Sequence, residues 1–128
     1  MNRDSLREIL YVDDEPDIRE IVQMALALSP MLSITTADSG IRALQSMQTH
    51  KPDLVLLDVM MPSMDGPTTL QQMRSSPELQ SIPVIFMTAK AMPQEVARFR
   101  SLGAAAVIAK PFDPMLLSEH VFAVWEAL

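Results

Sequence analysis

Five short runs of hydrophobic residues recur along the chain, at Ile9–Val12, Leu32–Thr36, Leu54–Leu57, Val84–Met87 and Ala105–Ala109. Each is four or five residues long, and those beginning at Leu54, Val84 and Ala105 are apolar throughout. Uninterrupted apolar runs of this length suit strands buried on both faces, as in a parallel sheet covered by helices. A run alone cannot distinguish a buried strand from a buried helical turn, so the assignment rests on what lies between.

Between the runs the period changes to that of a helix. Ile18, Ile21, Val22, Ala25 and Leu26 follow the spacing of one apolar helix face, and Leu117, Val121, Val124, Trp125 and Leu128 repeat it near the C-terminus. Ile41, Leu44 and Met47 form a shorter stripe after the candidate caps Asp38 and Ser39. Leu70 and Met73 continue a weaker one, and Val96, Phe99 and Leu102 make another, closed by Gly103. Pro16, Pro67, Pro93 and Pro114 stand where first helical turns are expected, a position that tolerates the missing N–H. Strand and helix thus alternate five times. That pattern predicts right-handed crossovers and an α/β fold, a parallel sheet with helices on both faces.

Composition narrows the class. A length of 128 residues with 48% apolar content predicts one domain, residues 1–128, with a packed core. The formal net charge of −6 and the lack of any basic run argue against nucleic-acid binding by this chain. Without cysteine there is no disulfide framework, thiolate metal site or cysteine nucleophile. The longest apolar run, Ala104–Ala109, is far too short for a membrane span, and Met1-Asn2-Arg3-Asp4 opens no signal peptide. A soluble cytoplasmic protein, a monomer or weak dimer, is expected.

Ligands of such sheets bind beyond the carboxyl ends of the strands. Four of the five runs end there in polar chemistry: the first in Asp13-Asp14, the third in Asp58, the fourth in Thr88 and the fifth in Lys110. Three carboxylates in one crevice disfavour full ionisation. A divalent, oxygen-seeking cation resolves that conflict, and Lys110 offsets the remaining charge; Mg²⁺ is the natural candidate. An aspartate in that setting can act as a nucleophile toward a phosphoryl group. The metal, the Lys110 ammonium and the Thr88 hydroxyl are suited to the charge that develops on its oxygens. Ala89 is small and leaves the approach open.

Singly, these residues carry blander readings. Asp13-Asp14-Glu15-Pro16 is an acidic helix start, Asp65-Gly66 a turn or cap, Thr88 a strand-end hydroxyl and Lys110-Pro111 a loop. Their joint placement at four strand ends outweighs that. The 11 methionines read as core filler, Trp125 as packing, and His50 and His120 as histidines without metal-type partners.

Together the motifs resemble the receiver domain of bacterial two-component response regulators. The resemblance rests on Val12-Asp13-Asp14-Glu15-Pro16, on Leu54 through Gly66, on Met87-Thr88-Ala89 and on Lys110-Pro111-Phe112, and it covers essentially the whole chain. It implies a flavodoxin-like doubly wound sheet of order 2-1-3-4-5. It implies that Asp58 accepts a phosphoryl group from a sensor histidine kinase or a histidine phosphotransfer protein. Asp14, Asp58 and the Met60 carbonyl would hold Mg²⁺, with Asp13 acting through water. Thr88 would turn toward the phosphoryl group, Lys110 would pair with it, and the Lys110–Pro111 bond would be cis. The signal to a downstream protein would leave through the fourth helix, fifth strand and fifth helix. Val107 stands where the family commonly has an aromatic residue, so that signal has no ring to swing.

Other functions fit less well. A flavin-binding protein of this fold needs a phosphate-cradling first loop, and Asp13, Asp14 and Glu15 would repel phosphate there. An aspartate-nucleophile phosphohydrolase resembles Asp-x-Asp after its strand, whereas the second position here is Met60. An unphosphorylated interaction module usually lacks one of the five polar residues, and all are present.

Overall fold

The computed structural model describes residues 1–128. Strands β1 (Glu8–Val12), β2 (Ser33–Ala37), β3 (Leu54–Asp58), β4 (Val84–Thr88) and β5 (Ala106–Ala109) alternate with helices α1 (Pro16–Leu26), α2 (Gly40–Thr49), α3 (Gly66–Arg74), α4 (Pro93–Ser101) and α5 (Leu117–Glu126). The strands form one parallel sheet of order β2-β1-β3-β4-β5. This is the predicted flavodoxin-like order, which reverses direction at β1 and β3. The crevice beyond the carboxyl ends of those two strands is where such folds bind ligands.

Alternation along the strands divides the core into two layers. On one face Ile9, Tyr11, Leu56, Met87 and Ile108 meet Val22 and Leu26 of α1 and Leu117, Val121 and Trp125 of α5. On the other, Leu10, Val12, Leu57 and Phe86 meet Ala43 and Met47 of α2, Leu70 and Met73 of α3, and Phe99 of α4. Phe86 and Phe99 pack edge to face with ring centroids 5.0 Å apart. Because both faces are covered, β3 and β4 are buried at every position.

Local chemistry starts the helices. Ser39 caps α2 by accepting from the Arg42 N–H, and Asp65 caps α3 by accepting from the Thr68 N–H. Pro16, Pro67 and Pro93 lie in first turns. Pro114 does not: α5 starts at Leu117, and a turn whose Leu116 N–H bonds the Asp113 carbonyl fills the gap.

Several other expectations are corrected. Edge strand β2 alternates exposed and half-buried positions up to Ala37, and β5 is only partly buried, since a helix layer does not fully cover a sheet edge. Ile21 and Ile41, placed on inward stripes by spacing, are exposed, as are Leu102 and Leu128 at the helix ends. Phe122, which the α5 stripe omitted, is buried. Of the methionines, Met47, Met61, Met73 and Met87 are core, whereas Met1, Met24, Met60, Met92 and Met115 are exposed. His50 has a partner after all, Glu8 Oε1 at 2.8 Å, though one exposed carboxylate makes no metal site. No helix is long and apolar enough to cross a membrane.

Candidate functional site

The registers bring the acidic residues together. Val12 pairs with Leu57, so the next residues along each strand, Asp13 and Asp58, lie side by side at the carboxyl edge. Asp58 pairs with Met87 and Thr88 with Ala109, which brings Lys110 across from the same edge. The Lys110 N–H continues the ladder to the Thr88 carbonyl at 2.8 Å, and the Lys110–Pro111 bond is cis, as expected. Lys110 Nζ donates to Asp58 Oδ1 at 3.0 Å and to Asp13 Oδ2 at 3.2 Å.

Carboxylate oxygens of Asp13, Asp14 and Asp58 lie within 4.8 Å of one another. Asp13 is fully buried and Asp58 nearly so. Burial pushes the Asp58 carboxyl above the ordinary carboxylate range; the bond from Lys110 pulls it back, but the charges of Asp13 and Asp14 add to the upward push. Burial alone would lower Lys110, yet its bond to Asp58 and the charge of Asp13 outweigh this and raise it.

The donor set fits Mg²⁺. It is entirely oxygen, with three negative charges answered by the single ammonium of Lys110. Asp58 Oδ2 accepts no bond from the protein, and no buried side-chain polar atom is left unpaired, so that oxygen opens to the crevice. The Met60 carbonyl likewise accepts no protein hydrogen bond, and the residue is 76% exposed. An open oxygen nucleophile, fixed by an ammonium and flanked by acceptors for a hard cation, is suited to attack on phosphorus.

Thr88 stands apart from this cluster. By alternation it follows Phe86 on the α3–α4 side, and its hydroxyl accepts from the Lys90 N–H at 3.0 Å. Asp65 is a helix cap and no part of the site. His120 is exposed, and Trp125 donates to the Asn2 carbonyl and Ser5 Oγ.

Two neighbours were not foreseen. Tyr11 Oη donates to Asp13 Oδ2 at 2.6 Å, and Arg19 Nη1 donates to the Asp13 carbonyl at 2.8 Å. A signal for Tyr11 exists in the sequence: two residues before Asp13 on a strand, it must share that residue's face, and it is the only hydroxyl in the run Ile9–Val12. Nothing comparable marks Arg19.

Comparison with known proteins agrees with this fold. The model of the response regulator receiver domain matches residues 9–122. Response regulator Rre1 of Synechocystis is 41% identical over 106 residues, 83% of this chain and 46% of that protein. The chain spans about half the length, or less, of the curated relatives it matches. Among solved structures, chemotaxis response regulator CheY4 of Vibrio cholerae superposes with a TM-score of 0.85 at 27% identity, covering 94% of this chain and 99% of that one. The N-terminal domain of a response regulator receiver protein from Methanoculleus marisnigri gives 0.76 at 37% identity, covering 94% and 97%.

Proposed function

The chain belongs to the response regulator receiver domain family, and from that premise we propose that it is a phosphorylation switch whose acceptor is Asp58. The observation that carries this reading is Lys110 Nζ bridging Asp58 and Asp13 at 3.0 and 3.2 Å, with Asp58 Oδ2 left open. An Asp58 oxygen attacks the phosphorus of a phosphohistidine on a sensor histidine kinase or histidine phosphotransfer protein. The O–P bond forms as the P–N bond breaks, and the imidazole leaves neutral, keeping the proton on its other nitrogen. When held by Asp14, Asp58 and the Met60 carbonyl, with Asp13 acting through water, Mg²⁺ supplies a dication against the phosphoryl oxygens. Lys110 pairs with the same oxygens, and Thr88 exchanges its bond with Lys90 for one to the phosphoryl group.

Residues 1–128 act as one receiver unit, and a cytoplasmic location suits a kinase partner. An apolar recess of about 370 Å³ beside Lys110, lined by Ile18, Ile21, Pro111 and Phe112, offers the donor a docking place. Ile21, exposed on a helix face otherwise turned inward, forms part of that recess. The phosphorylated form engages a downstream protein through α4, β5 and α5, and the chemistry consumes only the chain's own aspartyl-phosphate.

Acetyl phosphate tests the reading directly. Intact mass should rise by one phosphate in Mg²⁺ and not in chelator, and Asp58→Asn should take up none. An adduct that persists in Asp58→Asn would exclude Asp58 as the acceptor.

A further inference from the structure

Asp13 is the most heavily bonded carboxylate in the pocket. Each carboxylate oxygen offers two acceptor positions. Oδ2 uses both, for the Tyr11 hydroxyl at 2.6 Å and the Lys110 ammonium at 3.2 Å, while Oδ1 uses one for the Glu15 N–H at 3.0 Å. One position is left on Asp13. Tyr11 and Asp13 are both at zero exposure, so no water competes for the phenol bond. The phenol ring is wedged among Ile9, Leu56 and the α1 and α5 side chains, which leaves its hydroxyl little freedom to turn elsewhere.

We infer that Tyr11 is a positioning residue that holds Asp13 by its inner oxygen and thereby lowers the affinity of the pocket for its divalent cation. This rests on the reading of the pocket as a Mg²⁺ site. A hydrogen bond to a charged acceptor is a strong one, and it matters most when no cation shares the carboxylate's charge. Cation and phenol both draw on the electron density of Asp13, so each weakens the other's hold; the coupling is reciprocal. Without the hydroxyl, the empty pocket loses more than the filled one, and the cation binds more tightly.

The test uses the full chain, Mg²⁺ alone as the probe, and Tyr11→Phe, which keeps the buried ring. Calorimetric titration of the unaltered protein comes first. If it does not take up Mg²⁺, the metal-site reading fails and this inference falls with it. If it does, Tyr11→Phe should bind Mg²⁺ about three- to tenfold more tightly. Its melting temperature should drop in chelator and recover part of that loss in saturating Mg²⁺. A merely structural hydroxyl would cost the same in both conditions, and equal affinities with equal losses would overturn the inference while leaving the metal site intact. Tyr11 is the only tyrosine, so its near-ultraviolet difference spectrum gives a second readout needing no variant. The band should shift to shorter wavelength as Mg²⁺ weakens the phenol bond, and an unmoved band on a saturated site would also count against it.

Discussion

Asp58 carries a conflict that a single residue can expose. Its carboxyl is raised above the ordinary range by burial and by the charges of Asp13 and Asp14, despite the Lys110 bond. A carboxyl raised in the fold relative to the unfolded chain makes the ionised protein less stable. The penalty is present above the folded-state value and vanishes below the ordinary value of 3.8, where both states are protonated. Asp14→Asn removes one like charge and leaves the Lys110 bonds in place. In chelator at neutral pH it should melt higher by roughly 3–6 °C, corresponding to about 1 kcal/mol. The gain should fade on acidification below the ordinary carboxylate range, and the shift produced by Mg²⁺ should largely disappear. An unchanged or lower melting point would mean that the carboxylates do not act on one another. The rim of the pocket makes a second point. Met60, two residues past Asp58, and Lys90, two past Thr88, are both exposed, and by analogy with the receiver family they should flank the path of an attacking water. A thioether is a weak acceptor and a charged lysine only a donor, so neither orients an attacking water. The aspartyl-phosphate should therefore be long-lived, and Met60→Asn with Lys90→Glu should hasten its decay by about threefold or more. Equal or slower decay would show that water access is limited elsewhere.

At the scale of elements, the approach of α3 to β3 matters most for the site. A Cβ on Gly66 would lie 2.6 Å from the Asp58 carbonyl oxygen and 2.9 Å from Val59 Cα, both backbone atoms that cannot swing aside. The Gly66 N–H also bonds the Val59 carbonyl at 2.9 Å, tying the helix start to the chain just past Asp58. Gly66→Ala should cost about 1–3 kcal/mol by overpacking and should slow uptake of phosphate by displacing Asp58. Denaturant midpoints and the rate of mass gain measure the two effects. A stable variant with normal uptake would show that β3 and α3 tolerate separation. At the other end of the sheet, Val107 is half-buried on edge strand β5 and packs against the α2–α4 layer. With no ring at this position, the proposed output through α4, β5 and α5 has no aromatic side chain to swing there.

For the whole molecule, the proposed function makes switching a population shift between two packings of the helix layers, biased by whichever arrangement would hold the phosphoryl group better. On the proposed function, the bond from the Lys90 N–H to Thr88 Oγ1 is the contact next to the site that a turn of Thr88 toward the phosphoryl group would disturb first. A beryllofluoride complex should shift the Lys90 amide strongly and continue through α4 to Leu102 and into β5. Shifts confined to the surroundings of Asp58 would place the output elsewhere. The opposite end of the molecule should stay still. There the Met1 ammonium donates to the Glu126 and Leu128 carbonyls, Arg3 pairs with Glu119 and Glu126, and Trp125 donates to Asn2 and Ser5, fastening the N-terminal turn to α5.

The alternation of apolar runs and helical stripes was enough to define five strands, five helices and a parallel sheet, because strand and helix impose different periods on whichever residues are buried. Asp13, Asp14, Asp58, Thr88 and Lys110 were also legible, since each ends or follows an apolar run and strand ends are where such sheets expose chemistry. Spacing could not say which positions of a stripe face inward at a layer's margin: Ile21 and Ile41 keep the period and still meet solvent, because exposure depends on how far the neighbouring helix reaches. Nor could it divide the polar residues among partners. That Lys110 spans Asp13 and Asp58 follows from the registers of neighbouring strands. The bonds of Thr88 to Lys90 and of Tyr11 to Asp13, each between residues two apart, depend instead on how the chain turns at the strand ends and how the core packs the side chains. Hydrogen bonds join atoms within about 3 Å of one another, and only the folded sheet brings Lys110 that close to Asp13 and Asp58, which are far from it along the chain.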